Sequence, residues 1–250
     1  MKKAHRSEQG PPVLEMRDNV ATLRLRRPAE HNRLDPDDIA EMREHITRLA
    51  SLAGLRALVI TGTGSATFSS GFTIEAIVGR LDRSFEDLLD AIENFPHPTI
   101  CALNGSVYGG ATDVALCCDF RVGVRGSRMF MPAARFGLHY YPGGLRRYVS
   151  ALGLSQAKRL FLTAQTIDAD EMLRIGFLTE LVERKELRAK VAQYIDAIRA
   201  CESGAVASMK AQLAAIDRGE KSAARSRKDY EKSLRSEELR RRLGMRRSRH

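Results

Sequence analysis

The chain of 250 residues is 43% hydrophobic, with a formal net charge of +10 and four cysteines. That is enough material for one large core, or a core with a small appendage, so the protein does not depend on metal or disulfide staples to fold. Cys101, Cys117, Cys118 and Cys201 show no CxxC or Cys/His ligand spacing, and they read as free thiols of a reducing compartment.

The first residues are basic with no apolar run behind them, and no segment approaches membrane-spanning length, so a soluble, cytoplasmic protein is expected. The positive charge collects at the end, where residues 221–250 hold twelve Lys/Arg against four Asp/Glu. Without interleaved aromatic residues or a nucleic-acid motif, this reads as a solvated helix face and not as a polyanion-binding surface.

Residues 13–16 and 20–25 alternate as two strands, with Asp18-Asn19 as the turn between them. Asp35 suits an N-cap and Pro36 a first helical position; Ile39, Met42, Ile46 and Leu49 then recur at helical spacing, predicting a helix to about Ala53 that stops at Gly54. Residues 57–61 are a continuous apolar run, predicted as a strand buried on both faces. Residues 62–67 form a loop, 84–94 a helix, 119–124 a strand and 129–131 a short strand. The stretch 138–144, rich in Tyr and Gly with one His, is a cleft wall, followed by helices at 145–152, 155–162 and 169–175 and a last strand at 178–182. From about Lys185 the chain is helical and increasingly charged, with breaks at Gly204 and Gly219. The pattern predicts an α/β fold class with a flexible N-terminus (1–12), a core (13–185) and a helical C-terminal oligomerisation region with a basic tail (186–250).

Residues 99–119 read as a buried strand, a glycine turn and an apolar helix entered at Gly109-Gly110. A Gly pair there lets a ligand approach the backbone with no Cβ in the way and leaves first-turn amides unpaired. Such amides suit an anion or a developing oxyanion, and the same glycines equally suit tight packing alone. Asp113, three residues into the helix, is expected near the same mouth. Residues 68–72 are a second place where small residues bare backbone amides.

Several separated motifs then occur in one order. Arg27-Pro28 precedes Asn32-Arg33-Leu34; Val59-Ile60-Thr61-Gly62 precedes Phe68-Ser69-Ser70-Gly71; Pro98-Thr99-Ile100 leads to Asn104-Gly105 and Gly109-Gly110-Ala111; and Asp168-Ala169 leads to Gly176. Over most of its length the chain resembles the crotonase (enoyl-CoA hydratase/isomerase) superfamily. The resemblance implies a crotonase-like spiral of ββα units, an acyl-CoA thioester substrate with coenzyme A as its carrier, no further cofactor or metal, and a homotrimer or hexamer. It implies an oxyanion hole built from the backbone amides of Ser70 and Gly110. It also places Arg33, Phe68, Ser70, Gly71, Phe72, Thr73, Gly109 and Gly110 along the substrate and its CoA arm.

The departures from the hydratase pattern bear on chemistry. Two glutamates that hold water in those enzymes correspond here to Asp113 and Ala133, so paired acid–base addition of water lacks a partner. Reactions through an enolate remain open: double-bond isomerisation with Asp113 as the acid/base, or decarboxylation of a malonyl-type acyl-CoA; a non-catalytic acyl-CoA-binding role is the third reading. Gly137-Leu138-His139-Tyr140 resembles a segment of methylmalonyl-CoA decarboxylases, although the His those enzymes carry after the FSAG motif is Phe72 here. His139, Tyr140 and Tyr141 are accordingly candidate acid or orienting groups, with a direct catalytic role assigned to Tyr140.

Overall fold

Strands β1 (Gly10–Arg17) and β2 (Val20–Arg26) pair antiparallel as the alternation predicts. Asp18 and Asn19 take φ of 48° and 62°, the left-handed conformation that a tight hairpin turn requires. The protein is described by a computed structural model covering residues 9–221 and 223–244. Gly10 pairs with Arg26, so residues 10–12 belong to the sheet and not to a flexible N-terminus. Residues 1–8 of that expected segment, and 245–250 of the basic tail, lie outside the described residues.

The helix after the hairpin is α1 (Pro36–Ala50), opened by a capping box between Asp35 and Asp38. It ends three residues before the expected Ala53, because Ser51 and a tight turn from Leu52 to Leu49 close it before Gly54 at φ 81°. Then follow β3 (Ala57–Gly62), β4 (Thr67–Ser69), a short kinked α2 (Ile77–Arg80), α3 (Arg83–Glu93), β5 (Thr99–Leu103), β6 (Ser106–Tyr108), α4 (Gly110–Leu116), β7 (Phe120–Val124) and β8 (Arg128–Phe130). The chain continues through α5 (Pro142–Leu152), α6 (Leu154–Thr163), β9 (Ile167–Asp168), α7 (Ala169–Arg174) and β10 (Glu180–Val182), and then α8 (Leu187–Ala200), α9 (Ser203–Asp217), α10 (Ala223–Leu234) and α11 (Glu237–Arg242).

Two sheets result. One is six-stranded in the order β1-β2-β3-β5-β7-β10, and the other four-stranded in the order β4-β6-β8-β9. The strand pairs β3/β4, β5/β6 and β7/β8 each send their first member to the larger sheet and their second to the smaller, which is the spiral of ββα units that the motifs imply. Two buried asparagines hold the crossings in place. Asn104 accepts from the Gly62 amide at 3.0 Å and donates to the Gly64 carbonyl at 2.9 Å, while Asn32 donates to the carbonyls of Thr63 and Thr67 at 2.9 and 3.0 Å. These motif residues are therefore structural: the amides and carbonyls where the chain changes sheets have no ladder partner, and the Asn side chains supply one.

Period-two alternation splits the large sheet between two cores. Leu23, Leu58, Ile60, Cys101 and Leu103 face the core that holds α1, α3, α4 and the small sheet. Val20, Val59, Ile100, Ala102 and Val122 face the other way, onto Leu187, Val191 and Ile198 of α8. The helical region from residue 186 thus begins as a layer of the same body, because strands apolar on both faces need a cover on each. Among the described residues no helix is long and apolar enough to cross a membrane.

Candidate active site

Glycines let two backbone segments approach more closely than side chains permit. Gly71 has φ +87°, and a Cβ there would stand 2.7 Å from the Tyr108 carbonyl oxygen and 2.8 Å from the Gly110 nitrogen. A Cβ on Gly110 would lie 2.8 Å from the Phe85 ring and 3.8 Å from the Phe72 nitrogen. The loop after β4 and the N-terminus of α4 therefore meet backbone to backbone.

The amides at this meeting differ from the expected pair. The Ser70 N–H donates to the His31 carbonyl at 2.9 Å, so it is already satisfied inside the protein and is not a free donor. Phe72 is the residue whose amide is left over. Leu34 N–H donates to the Gly71 carbonyl at 2.8 Å and Thr73 N–H to the Leu34 carbonyl at 3.0 Å, using up one side of this extended segment. The Phe72 amide faces the opposite side and, like the Gly110 amide, makes no hydrogen bond among the described residues. Gly71 at positive φ turns the chain here, so the free amide follows Gly71 and does not precede it, which the sequence alone does not show.

Phe72, Gly109, Gly110 and Ser70 border a cavity of about 480 Å³ whose other walls include Leu81, Phe85, Met131 and Leu138. Of the other residues expected along the substrate, Phe68 is a fully buried core side chain and Gly71 lies beneath the contact of the two segments. The Thr73 hydroxyl bonds Asp35 and the Leu34 carbonyl, and Arg33 pairs with Glu30 at 2.7 Å and Asp35 at 3.1 Å, so both serve the loop before α1. Ala133 reaches the cavity as a buried methyl group at the position where a hydratase carries its second glutamate.

Asp82, Arg83 and Glu86 border the cavity from the start of α3, and the far wall carries a second set of ionisable groups. Helix α5 starts at Pro142, three residues earlier than expected, with Tyr141 as its N-cap; a proline at the first helical position was the legible sign. This start holds Tyr140 and Tyr141 against the cavity, with His139 exposed beside them. Asp113 does not border the cavity. It is 0% exposed, which corrects its expected place at the mouth. Its side chain turns toward α5, where Oδ2 accepts from the Tyr141 hydroxyl and lies 3.3 Å from Nη1 of Arg147. Gly144 makes room for this, since a Cβ there would stand 2.8 Å from Oδ2 of Asp113.

Arg147 is 3% exposed and is shared by Asp113, Glu93 at 3.2 Å and Asp90. Nothing in its spacing marked it as part of the site; only the packing of α5 on α3 and α4 does so. Burial lifts the Asp113 carboxyl above its ordinary 3.8, against the opposing pull of Arg147 and of the Tyr141 hydrogen bond. Burial likewise pushes both tyrosine hydroxyls well above 10, so they stand as neutral hydroxyl groups at neutral pH.

Chains of known relationship agree with this architecture. Residues 15–247 match the family described as Enoyl-CoA hydratase/isomerase. A short-chain-enoyl-CoA hydratase of Clostridium acetobutylicum is 32% identical over 217 residues, 83% of this chain and 81% of its own. A crotonyl-CoA hydratase of Syntrophomonas wolfei subsp. wolfei is 31% identical over 189 residues, 72% of this chain and 72% of its own. Among solved structures, DspI of Pseudomonas aeruginosa superposes with a TM-score of 0.85 at 25% identity, over 96% of this chain and 94% of that one. With the ββα spiral, the glycine-built meeting of two backbones and a match over nearly the whole length, the chain belongs to the enoyl-CoA hydratase/isomerase family.

Proposed function

We propose that the protein is an acyl-CoA enzyme that stabilises a thioester enolate with the backbone amides of Phe72 and Gly110, and that it moves a proton on the acyl chain in preference to adding water. The observation that carries this is the pair of unpaired amides at the head of the cavity, brought together by glycines where a Cβ would collide with a neighbour. Donors fixed in advance lower the barrier to an oxyanion because they need no reorganisation as charge develops. Water addition calls for an acid and a base placed together so that both reach the attacking water. Here the second of the two matching positions is the buried methyl group of Ala133 and the first, Asp113, does not border the cavity; the carboxylates that do border it, Asp82 and Glu86, come from the start of α3.

Curated relatives named as hydratases weigh on the other side, and the experiment separates the readings. Purified protein is incubated with crotonyl-CoA, a 3-enoyl-CoA and methylmalonyl-CoA, and the thioesters are followed by chromatography and mass spectrometry. An isomeric product of unchanged mass from the 3-enoyl-CoA is the expected result. Gain of one water by crotonyl-CoA would overturn it in favour of hydration. Loss of carbon dioxide from methylmalonyl-CoA would favour decarboxylation, a second reading supported by the paired Tyr140 and Tyr141 hydroxyls, 3.2 Å apart on the cavity wall. No change in any thioester would leave a binding role.

Coenzyme A as the carrier rests on the family. An assembly of several copies is part of the same proposal: Met209, Leu213 and Ile216, spaced to share one face of α9, are 58%, 67% and 64% exposed, and Leu234 of α10 is 52% exposed. Apolar rows of this kind are unusual on a helix that faces only water.

A further inference from the structure

Asp113 cannot meet the contents of the cavity directly, because it has no exposed surface and does not border the space. The Tyr141 hydroxyl is where the two are connected: Tyr141 borders the cavity and donates a hydrogen bond to Oδ2 of Asp113. Resting on the acyl-CoA reading above, we propose that Tyr141 is the catalytic residue that touches the acyl chain, and that it relays protons between substrate and Asp113, which acts through it.

Three observations support this assignment. First, Tyr140 borders the cavity too, but among the described residues its hydroxyl is within hydrogen-bond distance of Tyr141 and not of Asp113. Second, Oδ1 of Asp113 has no hydrogen-bond partner among the described residues although it is fully buried. A purely structural ion pair would have both oxygens satisfied; a bare one keeps the carboxylate short of stabilisation and hence more basic. Third, the cluster tolerates loss of the charge on Asp113, because Arg147 keeps Glu93 and Asp90 as partners. The Tyr141 ring is held for the task by its place at the N-cap of α5 and by ring contacts with Phe85 and Tyr140 at 6.2 and 4.4 Å between centroids.

The step balances without any added reactant. As a proton leaves the α-carbon for the Tyr141 oxygen, the proton that Tyr141 held passes to Oδ2 of Asp113. The C–H electron pair becomes the enolate, whose charge lies on the thioester oxygen at the Phe72 and Gly110 amides. Running the relay backwards at the γ-carbon of a 3-enoyl thioester returns both protons and gives the conjugated isomer. Asp113 is again a carboxylate and Tyr141 again a phenol.

The test uses the full chain and but-3-enoyl-CoA in D2O, reading isomerisation and deuterium uptake at the acyl carbons. Tyr141→Phe and Asp113→Asn should each slow both by about a hundredfold or more, the usual worth of a positioned acid–base group. The double variant should be no slower than the worse single one, because the two groups act as one unit. Because Tyr141→Phe could disturb folding, 3-fluorotyrosine in place of Tyr141 provides a second arm. It keeps the packing and lowers the phenol pKa, so it must change the exchange rate and its pH profile. A Tyr141→Phe rate within a few fold of wild type, multiplicative single effects, or an unchanged fluorotyrosine profile would each overturn the relay. A wild-type protein that binds acyl-CoA but turns over none of the thioesters tried would remove the acyl-CoA chemistry itself, and the relay with it.

Discussion

The two walls of the cavity are made by opposite means. On one side, backbone amides border the cavity, and the glycines Gly71 and Gly110 let the Phe72 and Gly110 N–H groups come near each other. On the other, side chains from α3, α4 and α5 form an ionic cluster in which the buried Arg147 is shared by the half-exposed Asp90, by Glu93 and by the buried Asp113. The comparison teaches that a backbone site requires only that nothing be in the way, whereas a buried charge site requires every charge to have a partner. The first kind fails by loss of rate, and the second first by loss of fold.

Arg147→Met should show the largest effect and test that distinction on the ionic wall. It leaves Asp113 charged, buried and without its cation, and should destabilise the protein by about 3–5 kcal/mol, measured by urea or thermal unfolding. A loss below about 1 kcal/mol would mean that the cluster is not the structural centre described here. Gly110→Ala should act on rate: its Cβ meets the Phe85 ring at 2.8 Å, which displaces one donor, and about 10²–10³-fold of turnover should go with it. Unchanged turnover would break the claim that this amide serves the reaction.

The donor assignment can be sharpened by replacing single amides with esters, which deletes an N–H and leaves the side chain in place. At Phe72 the ester should cost about 10²-fold or more in rate. At Ser70 it should instead cost about 0.5–1.5 kcal/mol of stability, the net worth of the bond to His31, with turnover kept. The opposite result would restore Ser70 as the donor.

The smallest effect is one of pH. Turnover needs Asp113 ionised as the final proton acceptor, so activity should rise with pH on an acid limb. Because burial lifts this carboxyl, the midpoint should lie above 3.8. A pH–rate profile that lacks the limb in wild type, or keeps it in Asp113→Asn, would take Asp113 out of the proton path.

Much of the fold was legible because local rules and tertiary structure agreed. Asp18-Asn19 turned the hairpin, Asp35-Pro36 opened α1, and the apolar run at 57–61 became a strand covered on both faces. The free amides lie within two residues of the expected positions. The Gly110 amide is free where the glycine pair placed it, but the second free amide is that of Phe72 and not Ser70, because the turn at Gly71 breaks the alternation that would have given both residues the same outlook. Asp113, expected at the mouth, is buried away from it, since its direction depends on Tyr141 at the start of α5, twenty-eight residues further on.

The sequence by itself determined the elements, the family and the glycine-built wall, because caps, periodicity and the lack of a Cβ act over a few residues and survive in any context. Only the tertiary structure decided which amides stayed free, that Asp113 sits behind Tyr141, and that Arg147 holds the cluster together. Those depend on which distant groups come to share one desolvated space, where an unmet hydrogen bond or charge is costly enough to fix the arrangement.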